Sequence, residues 1–170
     1  KAVEGFNGEV LVAVKEKGED YWAVKIFDWE GQYIGYLDLP HFLSIETIVV
    51  DKEKSRLYIL DKLFNRVVSY RHQETGNYVY EKVISLPQGT YPSGMIVRDD
   101  HVLISGKDIY VWENKGTNES CERVQMVSEK GKPYVLNDCR DIACVGDYII
   151  GVFGTNDNTI VVFQYDNERK

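Results

Sequence analysis

The sequence is a succession of short apolar runs separated by polar turn residues. The clearest succession lies between Glu46 and Pro87, where four runs rich in Val, Ile, Leu and Tyr alternate with clusters of polar residues. β-Branched and aromatic residues favour strands, and runs of this kind bounded by turn residues are typical of antiparallel strands joined by hairpins. The stretch therefore predicts a four-stranded antiparallel meander.

Weaker copies of this pattern lie on both sides of the clearest one. In the first copy the Asn7-Gly8 pair predicts a tight hairpin turn, and Glu9 to Lys15 is apolar on both faces, as expected of a buried strand. We predict a single all-β domain over residues 1–170, made of four repeats that span approximately residues 1–40, 41–87, 88–128 and 129–170. The last repeat ends where a fourth strand would be due.

An aromatic residue recurs in the predicted third strand of every repeat: Phe27, Tyr70, Trp112 and Phe163. Successive members of this series are 43, 42 and 51 residues apart, and the longest spacing contains the connector 128–138. A period of about 40–45 residues with four strands per repeat is typical of β-propeller blades. A meander with two apolar faces can bury both only by stacking against its neighbours, so we expect these aromatic residues to pack between blades.

The second repeat resembles the NHL-type repeat of β-propellers in the segments Ile48-Val49-Val50-Asp51, Arg56-Leu57-Tyr58-Ile59-Leu60-Asp61 and Asn65-Arg66-Val67-Val68. The segment Pro92-Ser93-Gly94-Met95-Ile96-Val97 resembles that family's lead into the innermost strand. WD-repeat proteins are the neighbouring family, although no Trp-Asp pair closes a third strand. The resemblance implies a propeller that serves as a binding platform, and it brings no catalytic residue with it.

The number of repeats predicts a partial propeller. About four blades, with one strand missing, are fewer than the roughly six or seven of most closed propellers, and four is the lower limit. We expect the chain to be part of a larger propeller, or a half that closes with a second chain or with a copy of itself. A compact four-bladed ring is the alternative.

Composition narrows the range of partners. The formal net charge of −7 disfavours nucleic acid, whose binding depends on Lys and Arg at the phosphates. No apolar run approaches the ~20 residues that a membrane-spanning helix needs, so membrane insertion is not expected. The predicted partner is a protein, which includes a second propeller half or a second copy of the chain.

Three cysteines, Cys121, Cys139 and Cys144, are present without a Cys-x-x-Cys pair. An odd number favours free thiols in a reducing, intracellular compartment. A Cys121–Cys139 or Cys139–Cys144 disulfide is the alternative for a secreted protein. No signal peptide is visible, but the chain begins with Lys1 and not with Met, so the compartment stays open.

The sequence contains no nucleophile elbow, phosphate-binding loop, zinc motif or EF-hand loop. We therefore predict a non-enzymatic scaffold for protein–protein interaction that needs no cofactor. Its contacts are expected at a rim formed by the connectors 40–46, 87–94 and 128–139. The aromatic candidates for these contacts are Phe42, Tyr91, Tyr134 and Trp29. The same exposed aromatic residues leave carbohydrate or small-ligand binding open as a further alternative.

An enzymatic alternative is a calcium-dependent hydrolase of the lactonase type. Such propellers hold Ca²⁺ in the central channel with oxygen ligands from several blades, which is the donor type that a hard cation prefers. The residues at comparable places are Glu4, Glu46, Asn137, Asp138 and Asp141. The third repeat offers only Ser93 there, which weakens the ring of ligands.

Overall fold

The computed structural model describes residues 1–38, 41–113, 121–133, 137–154 and 159–165. In these ranges the chain forms fifteen strands in four antiparallel sheets and no helix. The strands of each sheet are neighbours in the order in which they occur in the sequence. Each sheet is therefore a meander, and the predicted all-β, propeller-like partial fold is confirmed. No helix in the described part of the chain has the length and apolar character needed to cross a bilayer.

The chain divides into two compact units, Lys1–Leu86 and Pro87–Lys170, and each contains two sheets. In the first unit the first sheet consists of β1 (Ala2–Glu4), β2 (Val10–Lys15), β3 (Trp22–Phe27) and β4 (Tyr33–Tyr36). Its second sheet consists of β5 (Ile45–Asp51), β6 (Arg56–Asp61), β7 (Arg66–His72) and β8 (Tyr78–Ser85).

In the second unit the third sheet consists of β9 (Gly94–Arg98), β10 (His101–Ser105), β11 (Ile109–Glu113) and β12 (Glu122–Arg123). The fourth sheet consists of β13 (Cys139–Val145), β14 (Tyr148–Phe153) and β15 (Thr159–Gln164). The strand β12 is short, and its residues Glu122 and Arg123 pair with β11. Both are exposed. The Val124 N–H also donates to the Ile109 carbonyl at 2.8 Å, and Val124 and Met126 pack against the apolar core of this unit, so the segment stays close to β11 beyond the short strand.

Each unit is held together by a core between its two sheets. In the first unit, Leu11, Val24 and Ile26 of the first sheet pack against residues such as Leu57 and Tyr70 of the second. Alternate residues of a strand point to opposite faces, so one face of each sheet forms this core. We call the packed face of the first sheet its forward face and the packed face of the second sheet its backward face.

The second unit repeats this arrangement. Leu103 and Ile109 of the third sheet pack against Ile142, Ile149 and Phe153 of the fourth. The third sheet therefore contributes its forward face and the fourth sheet its backward face. Burying a large aliphatic side chain in this way stabilises the folded state by roughly 1.5–3 kcal/mol.

The aromatic residue of every third strand lies on the backward face of its sheet. Tyr70 and Phe163 pack in the two cores, as predicted for contacts between blades. Trp112 lies on the face of β11 opposite to Val111, which contacts the second core, and it is buried. Phe27 lies on the face of β3 opposite to the core residue Ile26 and is only half-buried.

All three cysteines are free, so neither disulfide alternative occurs. Cys121 and Cys139 are buried and Cys144 is exposed. Burial raises the pKa of the Cys121 and Cys139 thiols to about 12. Since the thiolate is the reactive form, both are inert at neutral pH.

Alkaline pH is expected to destabilise the first unit through Tyr58. This side chain is buried in β6, and burial raises its pKa to about 12 from an ordinary value near 10. The unfolded chain therefore loses this proton at lower pH than the folded one does. Stability is fully present below about pH 10 and falls between about pH 10 and 12, by an amount on the order of 1–3 kcal/mol.

Urea unfolding at a series of pH values, compared with Tyr58→Phe, measures this effect. The variant is expected to show a smaller alkaline loss of stability. Part of the loss remains in the variant because burial also raises the pKa of Tyr70 and Tyr78. Equal losses in the two proteins would contradict the role of Tyr58.

Candidate binding surfaces

An exposed tyrosine stands on a tightly fixed loop at the start of the second unit. Tyr91 is 74% exposed and has a φ of 47°, in the left-handed region that side-chain-bearing residues rarely adopt. The preceding residue anchors the loop: the Thr90 hydroxyl donates a hydrogen bond to the Pro87 carbonyl at 2.6 Å, and the Lys107 N–H donates one to the Thr90 carbonyl at 2.7 Å. The surrounding hydrogen bonds hold the unusual backbone of Tyr91 in place.

The next residues fix the other side of the same loop. The Ser93 N–H donates to the Ser105 carbonyl at 2.9 Å, and the Ser93 hydroxyl donates to the Cys139 carbonyl at 2.7 Å. Gly106 lies so close that a Cβ there would meet the Thr90 carbonyl oxygen at 2.2 Å. The backbone is thus ordered before any binding event, while the Tyr91 ring is presented to solvent.

A second candidate surface is a cleft of about 470 Å³ in the first unit. Its walls carry the aromatic rings of Tyr21, Trp22, Tyr33, Tyr36 and His41. The Tyr21 and His41 rings lie 4.7 Å apart between centroids. We call this surface the aromatic cleft. Its volume falls within the range of small-molecule sites.

An ion pair contributes charged groups to the aromatic cleft, which Asp38 also lines. Lys25 Nζ lies 2.8 Å from Glu16 Oε1, and both side chains line the cleft. The hydrogen bond to Glu16 raises the pKa of Lys25 above its ordinary value. The ammonium and carboxylate can donate to and accept from hydroxyl or peptide groups, while the rings supply apolar stacking surfaces.

The predicted aromatic rim stays a prediction, and the structure shows where its residues lie. Tyr91 is exposed on its loop. Trp29 is also exposed, at 73%, but it lies in the turn between β3 and β4. That turn is at the opposite end of the first sheet from the connector that follows β4, so Trp29 shares no rim with that connector.

Phe42 corrects the prediction, and Tyr134 lies outside the described residues. Phe42 is 2% exposed and belongs to the core of the first unit. Its backbone pairs with Trp22, whose N–H donates to the Phe42 carbonyl at 2.7 Å. The connector therefore folds back onto β3 and turns this ring inward, so the ring is not available to a partner.

The acidic residues proposed for Ca²⁺ in the first unit have other partners. Glu4 forms an ion pair with Lys52 at 2.6 Å. Glu46 lies 3.4 Å from Lys1 and 3.7 Å from Lys62. Lysine partners neutralise these carboxylates in the folded chain.

In the second unit the three proposed ligands, Asn137, Asp138 and Asp141, are exposed. Asp141 Oδ1 accepts a hydrogen bond at 2.9 Å from the N–H of the next residue, Ile142. Over the described ranges, no group of three or more His, Cys, Asp and Glu side chains is placed to hold a metal ion. The calcium site stays a prediction.

Sequence reasoning missed the aromatic cleft. The aromatic candidates that the sequence offers do not include Tyr21, Tyr33, Tyr36 or His41. The available signal was the pair of tyrosines on the short strand β4, both exposed. Their proximity to Tyr21 and His41 depends on the folding back of the connector, which no local pattern shows.

Comparison with solved structures places the chain among propeller-type folds. It matches a protein from Bacteroides fragilis, provisionally assigned as a 6-phosphogluconolactonase, with a TM-score of 0.70 and 10% identity over 98% of this chain and 50% of that one. It matches a catalytically inactive virginiamycin B lyase from Staphylococcus aureus, solved with quinupristin, with a TM-score of 0.61 and 11% identity over 98% of this chain and 55% of that one. The computationally designed Ika4 protein matches with a TM-score of 0.60 and 14% identity over 94% of this chain and 87% of that one.

These similarities show the fold and nothing finer. The chain has a β-propeller-type fold and spans about half the length of the natural solved structures that it matches. No protein-family model and no curated sequence matches it.

Proposed function

We propose that the chain is a non-enzymatic β-propeller module for protein–protein interaction, with Tyr91 as a contact residue. The observation that carries this proposal is the combination of 74% exposure and a positive φ at Tyr91 on a loop fixed by hydrogen bonds. Strained backbone held by its surroundings is concentrated at functional sites. A tyrosine on an ordered loop loses little conformational entropy on binding, which favours affinity.

The resemblance of the second sheet to NHL-type repeats supports a binding platform. Its strands β5, β6 and β7 cover the segments that carry the resemblance, from Ile48 to Val68. We propose an NHL-type propeller as the finer classification. In this classification the sheets supply a rigid body and the loops supply the contacts.

The proposal predicts that Tyr91→Ala removes partner binding while the fold is retained. Exposed aromatic anchors of an interface contribute about 2 kcal/mol or more, which corresponds to a loss of affinity of roughly 30-fold or more. Affinity capture with the immobilised chain, followed by mass spectrometry and binding measurement on the captured protein, tests this. Trp29→Ala is the matched control because Trp29 is equally exposed.

Partner binding that is equal for the wild-type chain and Tyr91→Ala would overturn the role of Tyr91. Urea unfolding of both variants verifies that each is folded. Loss of binding in both variants would show that the effect is not specific to the loop, and this result would also count against the proposal.

An enzymatic alternative is favoured by the names of similar solved structures, which include a provisionally assigned 6-phosphogluconolactonase and a lyase. The chain spans about half of each. Under this alternative, the chain hydrolyses a lactone, and Ca²⁺ increases the rate while a chelator abolishes it. Under the scaffold proposal, hydrolysis of 6-phosphogluconolactone stays at the background rate with and without Ca²⁺.

The aromatic cleft supports the third alternative, binding of a carbohydrate or another small ligand. Stacking of a sugar on Tyr33 or Tyr36 would place its hydroxyl groups near the Lys25–Glu16 pair. Titration with simple sugars, followed by the fluorescence of Trp22, separates this alternative from the other two.

A further inference from the structure

Among the described residues, two sheet faces are apolar and uncovered. The backward face of the first sheet carries Val10, Val12, Val14, Phe27, Tyr33 and Tyr36. The forward face of the fourth sheet carries Ala143, Val145, Tyr148, Val152, Ile160 and Val162. Ile160 is 69% exposed and Tyr36 62%. Contiguous apolar faces of this kind mark interaction surfaces on folded proteins.

The chain itself shows how such faces are covered. In each unit a forward face rich in aliphatic residues packs on a backward face that also carries aromatic rings. The forward faces supply residues such as Leu11 and Leu103, and the backward faces supply Tyr70 and Phe163. The two uncovered faces show the same difference in side chains. The forward face of the fourth sheet carries mainly aliphatic side chains, and the backward face of the first sheet carries Phe27, Tyr33 and Tyr36.

Phe27 of the first sheet and Tyr70 of the second sheet also have the same local geometry. Phe27 on β3 pairs with Tyr33 on β4, and the centroids of the two rings lie 5.8 Å apart in an edge-on arrangement. Tyr70 has the same relation to Tyr80 at 6.1 Å. In both cases the register shifts by one residue just before the aromatic residue. Tyr70 is fully buried by a forward face, whereas none of the residues that the structure describes buries Phe27 in this way.

We propose that the forward face of the fourth sheet packs on the backward face of the first sheet of a second copy of this chain, and that the second copy returns the same contact. Each copy carries one uncovered face of each kind, so two copies cover all of them. The chain spans about half of the natural structures that it matches, so two copies supply the same length. The designed Ika4 protein, of which this chain covers 87%, shows that a molecule of similar size carries this fold as a separate chain.

This assembly is independent of Tyr91 and of the proposed function. It covers Tyr33 and Tyr36, which also line the aromatic cleft, and is therefore an alternative to ligand binding there. The two faces carry few charges, Lys25 on the first sheet and Asp141 on the fourth among them. Each copy contributes one forward face and one backward face to the assembly. A dimer is expected because a two-fold axis that relates the two contacts makes a closed assembly of two copies.

Analytical ultracentrifugation of the full chain, over a range of concentrations up to about 100 µM, tests the proposal. The wild-type chain is expected to sediment as a dimer. Val162→Lys and Tyr36→Glu each place a charge on one of the two faces and are expected to weaken the dimer at least about tenfold. Both positions are exposed in the chain, so the variants are expected to fold.

Leu63→Lys is the matched control, since Leu63 is 68% exposed in the turn between β6 and β7 and lies on neither face. It is expected to leave the dimer intact. Mixing Val162→Lys with Tyr36→Glu is expected to recover dimers, because one of the two contacts then joins unchanged faces and the other joins opposite charges.

Several results would overturn the proposal. A wild-type monomer at all concentrations would show that something other than a second copy, such as another chain or a further segment, covers these faces. Dimers that survive Tyr36→Glu but not Val162→Lys would show that the fourth sheet pairs with itself. Open-ended polymers would show that the two contacts do not close.

Discussion

Replacing Asp61 with alanine is expected to lower the free energy of unfolding by about 3–5 kcal/mol, because it removes the buried acceptor of two backbone N–H groups and the ion-pair partner of the partly buried Arg66. The Asp61 carboxylate is fully buried at the end of β6. It accepts hydrogen bonds from the N–H groups of Leu43 and Ser44, at 3.4 and 3.1 Å, and lies 3.2 Å from Arg66 Nη2. Asp61 therefore fixes the connector before β5 to the second sheet.

Urea unfolding of the two proteins measures this difference, and Glu4→Ala is the control. Glu4 lies only 2.6 Å from Lys52, closer than Asp61 lies to Arg66, but both partners are more than half exposed. Exposed ion pairs contribute no more than about 1 kcal/mol. If Asp61→Ala cost no more than Glu4→Ala, burial would not make the Asp61–Arg66 pair stronger than the exposed Glu4–Lys52 pair. Asp61 would then not be the residue that fixes the connector.

Tyr70→Ala is expected to cost about 3–5 kcal/mol of unfolding free energy, as do large aromatic truncations in a core. Tyr70 has no exposed surface, packs between the first and second sheets, and meets Tyr80 edge-on. Its hydroxyl donates a hydrogen bond to the Asp38 carbonyl at 3.3 Å. The substitution creates a cavity between the two sheets of the first unit.

Two controls separate the causes of this loss. Tyr70→Phe removes only the hydroxyl and is expected to cost about 1 kcal/mol. Phe27→Ala makes the same kind of truncation at the equivalent place in the first sheet. Its ring is half-buried, so the monomeric chain is expected to lose clearly less stability than with Tyr70→Ala. Equal losses would contradict the difference between a covered and an uncovered backward face.

The meanders could be predicted because their signals are local. The Asn7-Gly8 pair adopts the positive φ values of 52° and 80° that a tight hairpin turn requires. The apolar runs of β10 and β14 are each bounded by turn residues, which makes such strands recognisable in the sequence. The recurring aromatic residues could be matched across repeats because the same fold position demands a large side chain.

The candidate surfaces could be predicted only where exposure follows from a turn. Tyr91, between prolines and glycines, lies in such a loop. The assignment of Phe42 to the rim is wrong because an apolar side chain in a connector gives no sign of whether the connector folds back onto a sheet. The ion pairs of Glu4 and Glu46 depend on lysines far away in the chain, which sequence spacing does not bring together.

The position of Trp29 follows from the order of the strands. Successive turns of a meander lie at alternating ends of the sheet, so the turn after β3 and the connector after β4 cannot share an end. Counting strand reversals from the sequence would have separated Trp29 from the connector 40–46.

The bulges beside Phe27 and Tyr70 bear on whether a hairpin of this fold can be duplicated or exchanged. In both sheets the extra residue lies on the fourth strand, at Ile34 and at Glu81, so the two outer hairpins, β3–β4 and β7–β8, have the same internal register. We therefore expect that one of these hairpins can replace the other. Duplicating or exchanging a hairpin would preserve the packing between neighbouring sheets, even where the turn lengths and most side chains differ.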